Sequence, residues 1–172
     1  MADDDLPNFS AKCPVTMIDD VVSPDAVQVT ADVNPDSAPL ALSKTSPFYT
    51  ATGKPDTYIQ WTQIIRSRGT PKINRIYFIV YGTIEVYYVL QSPVKTYPSP
   101  KRTTDPTQET VVTAIFDVPI EADTVTVYLK PASETTEIQL SQLEVKACYE
   151  PGLLLCLSTN LLFRLKCVTF DH

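Results

Sequence analysis

Proline constrains this chain more than any other residue. Fifteen prolines are present, the last at Pro151, and before that they recur about every ten residues. Each removes a backbone donor and fixes φ, so the intervals leave no room for a long helix interior. The stretches between the prolines are β-branched and aromatic. Val27–Val33 alternates apolar and polar residues, the period of a half-buried strand. Tyr58–Ile65, Ile73–Val80, Ile84–Leu90, Thr110–Phe116, Thr124–Leu129 and Ile138–Ala147 are further segments of this kind. Tyr81-Gly82-Thr83 predicts a hairpin between Ile73–Val80 and Ile84–Leu90. Seven short strands joined by Pro-rich and Ser/Thr-rich connections predict an all-β fold, an antiparallel β-sandwich with no helix longer than about two turns. Trp61, flanked by Ile59 and Ile64, is expected in its core.

At 172 residues the chain is one domain by size. It is long enough to bury about 70% of the surface of its unfolded form. A net charge of −6 argues against a nucleic-acid partner. The only histidine is His172, which removes most histidine-based catalysis and the common zinc-ligand patterns. The chain has no G-x-S-x-G, P-loop or G-x-G-x-x-G, and its many hydroxyl residues have no evident base. The adjacent carboxylates Asp3-Asp4-Asp5 and Asp19-Asp20 do not face one substrate bond in an extended chain. The expectation is a protein that is not an enzyme.

Charge divides the chain into zones. Residues 1–36 carry eight aspartates against Lys12, and residues 54–102 carry eight basic residues against Asp56 and Glu85. Residues 151–172 hold seven leucines, as many as the 150 residues before them. The division expected is an acidic extension at 1–12, the folded domain at 13–150, and an apolar tail at 151–172 outside it. Arg164 and Lys166 interrupt the tail, each costing about 2.5–3.5 kcal/mol at the centre of a membrane helix, so a membrane partner is not expected.

Two sets of residues are candidate sites. Phe48, Tyr49 and Tyr97 are aromatics near connections, and Arg66, Arg68, Lys72, Lys101 and Arg102 are cations on them. Connections held by a rigid scaffold often bind, and clustered cations favour an acidic or sulfated glycan or an acidic protein partner. The alternative is an ordinary solvated rim. Asp19, Asp20, Asp25 and Glu144 would form a structural calcium site if the first and last segments pair, since calcium takes six to eight oxygens. Otherwise they are solvated turns. Cys13 and Cys148 stand near the ends of the β-rich region and would bridge if the first and last strands lie side by side; the alternative is two independent buried thiols. Asn8-Phe9-Ser10 is a glycosylation sequon, usable in a secreted protein. No signal peptide opens the chain, so an extracellular setting makes it a fragment of a longer secreted protein.

Residues Cys13–Pro151 resemble the discoidin-like domains (coagulation-factor type C, galactose-binding-like) of animal extracellular mucin-like and matrix proteins. The resemblance rests on three passages in order. Tyr58-Ile-Gln-Trp-Thr-Gln-Ile64 stands at the family's first long core strand. Phe116-Asp-Val-Pro-Ile120 precedes the strand Thr124–Leu129. Leu143-Glu-Val-Lys-Ala-Cys148 closes the domain opened by Cys13. The family's tryptophan loop is replaced by Ser46–Gly53, and its Val-Asp-Leu-Gly phrase is missing. The resemblance implies a jelly-roll sandwich with binding loops at one end and Glu144 as a calcium ligand. It also implies adhesion through a glycan or matrix protein, and no catalysis. A purely structural matrix domain is the alternative; a cytosolic ligand-binding domain is disfavoured.

Overall fold

A computed structural model describes residues 13–14, 17–151, 155–157 and 166–168. In chain order the strands are β1 (Ile18–Val21), β2 (Val27–Ala31), β3 (Tyr49–Ala51), β4 (Ile59–Ile65), β5 (Lys72–Tyr81), β6 (Thr83–Gln91), β7 (Thr96–Pro98), β8 (Arg102–Thr103), β9 (Thr110–Glu121), β10 (Thr124–Pro131) and β11 (Ile138–Tyr149). They form two antiparallel sheets. The first runs β1-β11-β5-β9, with β3 also on β11; the second runs β2-β4-β10-β6-β7, with β8 also on β6. Two further strands, β12 (Leu155–Leu157) and β13 (Lys166–Val168), pair with each other. The acidic extension and most of the expected tail lie outside the described residues.

The alternation in the sequence maps directly onto burial. In β10 Val125, Val127 and Leu129 are fully buried while Thr124, Thr126, Tyr128 and Lys130 are not. The same period on β4 sends Ile59, Trp61 and Ile65 inward. Facing them from the first sheet are Ile73, Ile76, Phe78 and Val80 of β5 and Leu140, Val145 and Ala147 of β11. Trp61 is the largest buried side chain, as its flanks suggested, and its indole N–H donates to the Ala38 carbonyl at 2.8 Å. That acceptor belongs to a 3-10 segment, Pro35–Leu42, longer than the two turns expected of any helix here. Gln63 is buried beside Trp61's strand neighbours, with its amide oxygen unpaired.

Strand register defines two ends of the sandwich. Lys72, Glu121, Tyr149, Ile65 and Gln91 meet at one end; Tyr81, Thr110, Ile138, Ile59 and Thr83 meet at the other. At the first end β1 pairs with β11, Asp19 lying opposite Cys148, and Cys13 is bonded to Cys148 with Cα atoms 5.6 Å apart. The expectation that the first and last strands lie side by side is therefore met. We call this the clasp end and the other the far end.

The expected hairpin through Gly82 does not form. β5 belongs to the first sheet and β6 to the second, so the chain crosses between sheets at this residue. Gly82 has φ +76°, and a Cβ there would lie 2.3 Å from the Glu137 carbonyl oxygen. Only glycine permits so abrupt a crossing with another backbone this close.

Candidate functional site

The residues singled out from sequence do not gather in one place. Arg66 and Arg68 are on the β4–β5 connection at the clasp end, where Arg66 Nη2 donates to Gln28 Oε1 (3.2 Å) and Arg68 lies 3.8 Å from Glu150. Lys72 is not on that connection; it opens β5, paired with Cys148 on one side and Glu121 on the other. Phe48 and Tyr49 lie beside β11 on the edge of the first sheet. Tyr49, though near a connection, is fully buried, its hydroxyl donating to the Val33 carbonyl at 2.7 Å. Burial, then the charge of Asp32, pushes that hydroxyl far above its ordinary pKa. Tyr97 is a half-buried residue of edge strand β7, with Lys95 Nζ 4.7 Å above its ring. Arg102 is exposed on β8 and donates to the Val111 carbonyl (3.0 Å). Register holds these residues at opposite ends and on different sheets, so they do not form one cluster.

The four carboxylates offered for calcium are not brought together either. Glu144 is held by Lys44 at 2.8 Å and Arg75 at 3.4 Å, so its charge is met by protein cations. Asp19 accepts from Asn74 (3.1 Å) and lies 4.0 Å from Lys146, Asp20 accepts from the Val21 N–H, and Asp25 is exposed in a short 3-10 turn, Pro24–Ala26. Among the described residues no three His, Cys, Asp or Glu side chains are placed to hold a metal ion.

A different constellation occupies the outer face of the second sheet, toward the far end. Period-2 alternation on β6 and β10 sends Val86 and Leu129 inward, which turns Glu85, Tyr87, Tyr128 and Lys130 outward. Tyr87 and Tyr128 are register partners, and their rings stack with centroids 4.5 Å apart and planes 1° from parallel. Tyr58, just before β4, meets both edge-on, at 5.2 and 6.3 Å. Offset and edge contacts of this kind add about 0.5–1.5 kcal/mol per pair beyond area burial.

Charge frames the rings. The Tyr58 hydroxyl donates to Glu85 Oε1. Lys101, from the segment between β7 and β8, donates to the Tyr58 hydroxyl (2.9 Å) and lies 3.7 Å from Glu85. Its Nζ is 5.1 Å from the Tyr58 ring centroid and 5.5 Å from that of Tyr87. Lys130 Nζ stands 5.8 Å from the Tyr58 centroid. The Tyr58 hydroxyl, then Lys101 and Lys130, hold the Glu85 carboxyl below the usual range despite some desolvation. Burial, then the neighbouring Tyr128 and Tyr58, pushes the Tyr87 hydroxyl up, so it stays protonated and able to donate at neutral pH. Of these six residues only Lys101 was a candidate from sequence. The signal that would have found four of the other five is a Glu/Tyr pair and a Tyr/Lys pair on the polar phase of two alternating strands; Tyr58 precedes β4 and carries no such signal.

Two layers of antiparallel strands, clasped at one end and crossed by the chain at Gly82, define an antiparallel β-sandwich. The solved structures it is similar to include the family 32 carbohydrate-binding module of NanJ from Clostridium perfringens, in complex with galactose. That likeness has TM-score 0.56 and 12% identity, covering 74% of this chain and 98% of that one. Another is the module CpGH89CBM32-5 from the same organism, in complex with GalNAc-β-1,3-galactose, at TM-score 0.56 and 12% identity over 73% and 99%. A third, CpGH89CBM32-6 produced by C. perfringens, gives TM-score 0.51 and 10% identity over 70% and 93%. At these identities the likeness establishes the fold alone, an antiparallel β-sandwich like that of these modules. No family model matches the chain, and no curated protein matches it in sequence.

Proposed function

We propose that this chain is a non-catalytic glycan-binding module that works outside the cell and holds a sugar ring against Tyr58, Tyr87 and Tyr128. The observation that carries this reading is the tyrosine cluster on an open sheet face, rimmed by Glu85, Lys101 and Lys130. A pyranose has an apolar C–H face and a girdle of hydroxyls. Aromatic rings with polar tips suit both, and their two side-chain torsions leave little entropy to lose on binding. The fold likeness to modules solved with galactose and with GalNAc-β-1,3-galactose supports the same class of ligand. The Cys13–Cys148 bond suits an oxidising compartment, where glycans free or displayed on matrix proteins are the available partners.

The reading moves the contact from loops to a sheet face. A glycan array with the wild-type chain, the Tyr87→Ala variant and an Arg66→Ser/Arg68→Ser double variant tests it. Tyr87→Ala should weaken binding by about tenfold or more, the effect of truncating an aromatic anchor, while the clasp-end double variant binds as wild type. Binding that follows Arg66 and Arg68 instead would return the site to the loops. No glycan binding at all would leave a structural matrix domain.

A further inference from the structure

We propose that Lys130 reads an anionic substituent, a carboxylate or a sulfate, on the saccharide held by the tyrosine cluster. This rests on the reading just given and names the charge class of its ligand.

The argument is one of surplus charge. Two ammonium groups and one carboxylate frame the three rings. Lys101 is engaged by the Glu85 carboxylate at 3.7 Å and by the Tyr58 hydroxyl at 2.9 Å. Lys130 lies directly across from Glu85 in the β10–β6 register, yet the Glu85 side chain turns toward Tyr58 and Lys101. Among the described residues Lys130 makes no ion pair, whereas Lys101, the other ammonium at the rings, does. Its backbone pairs with Glu85 of β6, one residue past the end of the β4 ladder, and its ammonium stands 5.8 Å from the Tyr58 ring centroid. A sugar lying on the rings would bring its substituents alongside that ammonium. A neutral sugar leaves the charge unanswered; an acidic one meets it with a charge-assisted hydrogen bond, the stronger kind. Glu85 adds the other half of the selectivity. It fixes Lys101 and Tyr58 in place, and it repels an anion that approaches from the Lys101 side.

The test is calorimetric titration of the full chain with three trisaccharides: a neutral galactan, a galacturonate and a sulfated galactan. Each is run at low and high salt with wild type, Lys130→Met and Lys130→Arg. Wild type should bind at least one acidic probe about tenfold more tightly than the neutral one, the size of a single charge-assisted contact. The preference should shrink with salt. Lys130→Met should abolish the preference, so that neutral and acidic probes bind alike, and Lys130→Arg should keep it. The galacturonate and sulfated arms separate the two anions. Equal binding of neutral and acidic probes by wild type, or an equal loss of all three in Lys130→Met, overturns the proposal and leaves the tyrosine reading standing. No binding of any probe by wild type overturns both.

Discussion

On the outer face of the first sheet Glu144 sits between Lys44 and Arg75, and Asp19 between Asn74 and Lys146. On the outer face of the second, Lys101 and Lys130 share the single carboxylate of Glu85 above three tyrosines. Around Glu144 and Asp19 the charges are answered internally, whereas Lys101 and Lys130 have one carboxylate between them beside half-buried tyrosine rings. The difference teaches where to look for a ligand in a sandwich whose two layers are otherwise alike. Strands supply both faces equally; only the face with unspent interactions has something to offer a partner.

The division of labour can be broken most forcefully at the clasp. Replacing Cys13 and Cys148 with serine releases a loop of sequence separation 135 and should lower stability by about 4–5 kcal/mol on the chain-entropy account. If the first sheet carries the closure and the second the ligand, the variant that remains folded in the cold should bind glycan as wild type does. Loss of affinity in a demonstrably folded variant would show that the faces are coupled. Next in size is Gly82→Ala, which puts a left-handed backbone and a Cβ clash with the Glu137 carbonyl into the crossing between sheets. Chemical denaturation should report a loss of about 3 kcal/mol, and a neutral result would mean the two sheets tolerate relative movement.

Smaller effects sharpen the contrast. Glu144→Gln removes the negative charge shared by Lys44 and Arg75, and partial exposure of the group should keep the cost to about 1 kcal/mol with no change in glycan affinity. Glu85 provides the matched probe by pH. Its carboxyl is held below the usual range in the folded chain, so its contribution is fully present above the unfolded value near pH 4.3 and fades as pH falls through the lower folded value. The stability difference between wild type and Glu85→Gln, measured from pH 7 downward, should therefore shrink to nothing only in the acid range. A difference that is flat with pH would show that the carboxylate is not engaged by Tyr58 and Lys101.

What was legible in the sequence follows from physics that acts over short distances. Alternation is set by the two-residue pleat, so Thr124–Leu129 and Tyr58–Ile65 declare themselves, and Trp61 could be placed inside from its apolar flanks. Pairing is set by where a chain goes after a strand ends. Tyr81-Gly82-Thr83 looks the same whether it closes a hairpin or steps from one sheet to the other, and the deciding contact is Glu137, more than fifty residues away. The 3-10 segment at Pro35–Leu42 reads as loop because its anchor is the indole of Trp61, not its own composition. Tyr49 misled for the same reason: its partner is the Val33 carbonyl across a fold. The tyrosine cluster was missed because it assembles from four separate segments. Glu85, Tyr87, Tyr128 and Lys130 also sit on strands, whereas attention to cations favoured the connections.

The bond between residues 13 and 148 has a mechanical meaning. Those two positions lie 5.6 Å apart, and the whole sandwich is the loop between them. A pull transmitted along the polypeptide from one side of the domain to the other would run through a covalent bridge and bypass the hydrogen bonds of the two sheets between residues 13 and 148. The sandwich would hang from the load path as a pendant. Its tyrosine face would keep its shape under tension that unzips an unbridged module, until a reductant cuts the bridge and the force enters the strands.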